Sequence, residues 1–114
     1  MQEPTPLVLR EECHQDSVIV ALEGELDTVS ECLLNGLVTR LVAQDARQVL
    51  FDLSGVRFLD TAGIRGLISA QRRLFLAGRT MGLVSVPQVV QNIFSITGLR
   101  DHFVVYETLE EALA

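Results

Sequence analysis

Val49, Leu50 and Phe51 stand together with no polar residue between them. Successive side chains of a strand point to opposite faces, so a strand built from these three has no face to give to water. It must lie inside a sheet that is covered on both sides. The flanking residues supply the cover. Leu33, Leu34, Leu37, Val38 and Leu41 recur at helical spacing before it, and Ile64, Leu67, Ile68 and Phe75 do so after it. The fold class is therefore α/β: a single domain with a central mixed sheet of four or five strands and helices packed on it.

The rest of the chain fits that frame. Residues 1–6 carry two prolines and read as a flexible lead-in, and residues 7–114 as one domain. Leu7-Val8-Leu9 starts a first strand, residues 11–16 read as a polar turn, and residues 17–22 form a second strand, making a hairpin. Residues 23–27 read as a loop. Thr28-Val29-Ser30-Glu31 has the form of a capping box that opens a helix running to residues 44–46. After Phe51, residues 52–55 are expected to leave the strand and residues 56–59 to lead to Asp60. A second helix spans residues 61–77, with Gly78 as its stop signal. Residues 80–86 form a strand. Pro87 opens a third helix with Val89, Val90, Ile93 and Phe94 as its apolar positions, and Gly98 ends it. Residues 103–106 make a last strand, and Thr108-Leu109-Glu110-Glu111 repeats the capping-box pattern before a short terminal helix. The order is β-β-α-β-α-β-α-β-α.

Charge excludes several functions. The formal net charge is −6, which argues against a nucleic-acid binder needing a basic face. All nine basic residues are Arg. Without Lys there is no P-loop nucleotide site and no Schiff-base catalysis. A receiver domain of similar size and pattern usually relies on a Lys, so that likeness fails too. Cys13 and Cys32 have no metal-ligand spacing and read as small, partly buried thiols; His14 and His102 sit in polar contexts and read as surface residues. No apolar run is long enough to span a bilayer, and the first residues lack a secretory pattern, which sets the expectation of a cytoplasmic protein.

The most informative stretch leads from the buried strand into a helix N-terminus at Asp60-Thr61-Ala62-Gly63. Free backbone N–H groups there favour a negative group, and phosphate is the strongest one that is attached to a Thr. The plain alternative is an ordinary N-cap with a Gly that permits close packing. The two roles are compatible.

Here the chain resembles a known family. Gly24-Glu25-Leu26-Asp27, Asp52-Leu53-Ser54-Gly55-Val56, Phe58-Leu59-Asp60-Thr61-Ala62-Gly63 and Thr97-Gly98-Leu99 are similar, in order and spacing, to the motifs of the STAS domain. The likeness is nearest to the bacterial anti-sigma-factor antagonists and runs from residue 7 to residue 114. It implies a STAS-like fold and a protein that binds an anti-sigma factor, itself a serine/threonine kinase, and so releases a sigma factor for transcription. It implies phosphorylation at Thr61, a role beside that residue for Asp27, and a partner-binding surface of Asp27, Asp60, Thr61, Ala62, Gly63, Ile64 and Arg65. No catalytic residue, metal or cofactor is implied, and the free chain is expected to be a monomer or weak homodimer. The chain departs from the family pattern in carrying Thr61 where Ser is common, Ala62 in place of a second hydroxyl, and Arg65 where Gly is frequent. Thr61, Arg65, Ser69 and Arg72 share one helical face by their spacing. Arg65 either partly neutralises a phosphate on Thr61 or points into solvent. The alternative function is a STAS subunit of a lipid-transport ABC complex, a constitutive structural partner. An enzyme lacks support, because no nucleophile–base pair, nucleotide loop or metal set stands out.

Overall fold

The middle of the sheet falls where the apolar run requires it. A computed structural model describes residues 7–114; the lead-in expected at residues 1–6 lies outside the described residues. The strands are β1 (Val8–His14), β2 (Ser17–Leu26), β3 (Gln48–Leu59), β4 (Thr80–Val84) and β5 (Val105–Tyr106). The helices are α1 (Thr28–Ala43), α2 (Thr61–Leu76), α3 (Gln88–Ile96) and α4 (Leu109–Leu113). The strands lie side by side in chain order, with β1 antiparallel to β2 and every later pair parallel. β3 is thus the central strand of five, and Val49, Leu50 and Phe51 are all fully buried. Each parallel crossover steps one strand in the same direction, so the right-handed rule sends α1, α2 and α3 to one face. Val49, Phe51 and Leu53 meet Leu34, Leu41, Leu67 and Leu74 on that side. On the other side Ile19, Leu50 and Val84 are covered by Ala112 of α4, with Leu109 and Leu113 at its rim.

Five strand boundaries differ from the sequence reading. β4 ends at Val84 and not at residue 86, because the chain turns at Ser85 with φ +54°, and β5 begins at Val105 and not at residue 103, because only Val105 and Tyr106 pair with β4. The other three lie at the ends of β1, β2 and β3. Residues 11–14 continue β1, and the turn is only Gln15-Asp16, with Gln15 at φ +55° as a tight hairpin requires. β1 is the edge strand and residues 11–14 are all exposed, so no apolar alternation marks them. Residues 23–26, expected as loop, extend β2 through two register shifts on either side of Gly24, whose φ of +116° suits glycine. Residues 52–59 do not leave the sheet: they prolong β3, with Leu53, Val56 and Leu59 buried while Ser54 and Arg57 face out. The added lengths pair with each other, so one irregular extension explains both misreadings.

Helix faces needed smaller corrections. Leu33, Val89 and Phe75 are exposed, Phe75 by 75%. Their places inside are taken by Leu34, Leu37 and Leu41 in α1, by Leu67, Ala70 and Leu74 in α2, and by Val90 and Phe94 in α3. The spacing was right and the stripe one residue too wide. Gly78 and Gly98 end α2 and α3 at φ +77° and +75°. Thr108 caps α4 through the Glu111 N–H, as its sequence pattern implied. At the end of the sheet away from the α1 and α2 starts, Arg79 donates to the carbonyls of Val42, Ala46 and Ala77, which ties the tails of both helices together.

Removing the central ring should therefore cost far more than removing the exposed one. Phe51→Ala is expected to destabilise the domain by about 3–5 kcal/mol, and Phe75→Ala by less than about 0.5 kcal/mol. Urea denaturation of the two variants checks this; equal losses would mean that the core is not where β3 puts it.

Candidate functional site

The tripeptide Leu-Asp-Thr occurs twice, at residues 26–28 and 59–61, and the fold sets the two copies side by side. Leu26 and Leu59 are register partners at the ends of β2 and β3, and both are buried. After each Leu an Asp caps a helix. The Oδ1 of Asp27 accepts the N–H groups of Val29 and Ser30, both at 3.1 Å. The Oδ1 of Asp60 accepts the Gly63 N–H at 3.0 Å. Each Thr is then the first helical residue, and both are exposed.

This corrects the capping box expected at Thr28. Asp27 holds the cap because the buried Ser30 hydroxyl bonds to the same Oδ1 and to the Glu25 carbonyl, at 3.1 and 2.8 Å. Three donors converge on one carboxylate oxygen. The Ser30 N–H is the chief reason that the Asp27 carboxyl is held below its usual range; burial opposes it, and the Ser30 hydroxyl and Val29 N–H add to it. Glu31, freed from capping, points across to α2 and meets Arg65 at 3.4 Å.

The two helix starts are locked together through Leu26. Its carbonyl accepts the Asp60 N–H at 3.1 Å. Gly63 then passes so close that a Cβ on it would lie 2.3 Å from that same oxygen. Gly66, one turn on, faces α1, where a Cβ would be 3.2 Å from Leu34 Cδ1. Residues 25–27 and the start of α2 thus share one surface.

The seven candidate residues divide by exposure. Thr61 and Arg65 are exposed, while Asp27, Asp60 and Ile64 are half-buried. Ala62 and Gly63 are buried, so they shape the surface from within and offer little to touch. Thr61, Arg65, Ser69 and Arg72 are all exposed on their common face. Sequence reasoning missed Glu31, and it missed Val29 and Phe58, exposed apolar residues just past Asp27 and just before Asp60. The repeated Leu-Asp-Thr was the signal for the correct cap. Nothing in the pattern pointed to Glu31, because its partner lies on another helix.

Other candidates fall outside this surface. Cys13 and Cys32 are free and exposed, not partly buried: one lies on the edge strand and the other on α1, beside α2. His14 and His102 are exposed as expected. A groove of about 330 Å³ runs between α1 and α2, lined by Glu31, Cys32, Leu34, Gly66, Ser69 and Arg73 among others. Arg73 spans it to the Asn35 carbonyl and the Thr39 hydroxyl. Among the described residues no cluster of His, Cys, Asp and Glu could hold a metal ion, and no helix is long and apolar enough to cross a membrane.

Comparison with known proteins bears on the family and the fold. The model of the STAS domain matches residues 9–112. The anti-sigma-F factor antagonist RsfB of Mycobacterium tuberculosis is 24% identical over 113 residues, covering 99% of this chain and 92% of that one. The crystal structure of an anti-sigma factor antagonist from Mycobacterium paratuberculosis superposes with a TM-score of 0.83 at 27% identity, covering 99% and 96% of the two chains. The Bacillus cell fate determinant SpoIIAA in its phosphorylated form shares the fold, with a TM-score of 0.70 at 20% identity over 93% and 96%.

Two measurements probe the junction. Gly63→Ala is expected to cost about 1–3 kcal/mol or more, because backbone must move, whereas Gly66→Ala meets only a side-chain methyl and costs less; thermal melts rank them. The Asp27 cap favours the ionised carboxylate, so its contribution is full above the ordinary value of 3.8 and fades as pH falls through the lowered value of the folded state. Stability measured from neutral to acidic pH should therefore fall less in Asp27→Asn than in the parent over that acid window. Identical acid limbs would remove Asp27 from the account.

Proposed function

The chain belongs to the STAS domain family, and from that premise we propose that it is an anti-sigma-factor antagonist. It binds an anti-sigma factor of the serine/threonine kinase type, releases the sigma factor and is turned off by phosphorylation at Thr61. It works in the cytoplasm by binding and not by catalysis. The observation that carries the reading is the exposed Thr61 hydroxyl on the edge where both helix starts meet. The names of RsfB and of the Mycobacterium paratuberculosis protein support the class of partner. The phosphorylated form of SpoIIAA supports the kind of control.

The physics of the site fits a binary switch. Unmodified, the edge offers a small neutral hydroxyl, the half-buried Ile64 and the exposed Val29 and Phe58, which a partner can cover without burying charge at Thr61. In the kinase step the Thr61 oxygen attacks the γ-phosphorus of ATP. A new P–O bond forms, the bond to the β-phosphate oxygen breaks, ADP leaves and the hydroxyl proton passes to a base of the kinase. The product carries about −1.5 to −2 charges. The helix N-terminus tolerates that charge, with a gain of about 0.3–1 kcal/mol, so the domain stays folded. At an interface shaped for a hydroxyl, desolvating the phosphate costs several kcal/mol, roughly 2–7 for even a neutral polar group left unpaired. The cost at the interface wins.

The deciding experiment compares the parent, Thr61→Ala and the phosphorylated chain against the native anti-sigma factor. Thr61→Ala is expected to bind within a few-fold of the parent, and the phosphorylated chain at least about tenfold more weakly, that is 1.4 kcal/mol. Circular dichroism verifies that all three are folded. Equal binding by the phosphorylated chain would end the switch reading and favour a constitutive subunit, as in a lipid-transport complex.

A further inference from the structure

On the reading that Thr61 accepts a phosphate, we propose that Arg65 registers the modification. It leaves Glu31 on α1 and pairs with the phosphate on its own helix. In the unmodified chain the Arg65 guanidinium reaches across the seam and touches Glu31 Oε2 through one nitrogen at 3.4 Å. The side chains are 61% and 36% exposed, so the pair is single, long and largely solvated. Such pairs are weak. Arg65 also lies four residues after Thr61, which places the two on one face of α2, a turn apart.

The competition is unequal. Glu31 offers one negative charge and one long contact. A phosphate on Thr61 offers nearly two charges and three acceptor oxygens, and a guanidinium can meet two of them at once. Three other charged groups near this edge do not alter the balance. Asp27 and Asp60 spend a carboxylate oxygen on capping bonds, and Arg72 is seven residues beyond Arg65, two turns further along. The guanidinium therefore transfers. Glu31 is left without its cation at the mouth of the groove between α1 and α2, which it helps to line. Phosphorylation then changes the charge pattern of both helices, although only α2 is modified.

The test uses the full chain with phosphothreonine installed at residue 61, followed by ³¹P NMR through the second phosphate ionisation. A nearby cation favours the dianion, so the parent should titrate lower than Arg65→Ala by about 0.3–0.5 unit, roughly a two- to threefold shift in the proton equilibrium. Arg65→Lys should fall between them. Glu31→Gln should lower the value further in the parent background and have less effect once Arg65 is absent. The Glu31 carboxylate carbon resonance should move on phosphorylation in the parent and stay in Arg65→Ala. Equal phosphate titrations in the parent and Arg65→Ala would overturn the proposal, and so would a Glu31 resonance unmoved by phosphorylation. None of these readouts needs a partner. A failed binding switch with the expected titration would count against the functional reading alone, and the converse against Arg65 alone.

Discussion

The carbonyl of Leu26 is the contact on which the edge of this molecule depends. It accepts the Asp60 N–H and leaves room at Gly63 for nothing larger than hydrogen. One oxygen thereby fixes the start of α2 against the end of β2. That fixes the position of Thr61 relative to Asp27, and of Arg65 relative to Glu31. The buried middle of β3 sits at the centre of the core, but this contact supplies the geometry. A glycine is required for steric reasons, and its neighbours inherit their places from it.

Because both helices are held at both ends, the site is a rigid edge. The two Asp caps hold the starts, and Arg79 bonds to carbonyls at the tails. A phosphate added to such an edge has little local structure to melt. Its effect is confined to charge, hydration and the side chains that can swing, among them Arg65, one turn along the same helix. This is why the proposed control acts on binding and not on folding.

Much of this was legible in the sequence. The apolar run at residues 49–51 gave the central strand, helical spacing gave α1, α2 and α3, and a capping pattern gave α4. The motif order identified the family. The failures share a cause. The ends of β2 and β3 carry Glu, Gly, Asp and Ser, and they look like loops because their strand character comes from pairing with each other. A one-dimensional reading sees composition; the partner strand supplies the hydrogen bonds. By sequence Thr28 fits a cap, a hydroxyl three residues before a Glu, while in the fold Asp27 wins by serving three donors at once. Glu31 could not be found, because its meeting with Arg65 depends on how α1 and α2 cross.

The polar stretch that disguised the end of β1 has a consequence of its own. A sheet of this kind has two open flanks, each with unsatisfied backbone groups that invite another chain to add on. One flank is β1, where Arg10, Glu11 and Glu12 stand in a row and are exposed or ion-paired, Arg10 with Glu23 and Glu11 with Arg40. The other is β5, only two residues long. The first is guarded by charge and the second by brevity. Neither is a good template for fibril growth or chance strand pairing, even in a crowded cell. The chain can thus expose Val29 and Phe58 without becoming adhesive along its sheet margins.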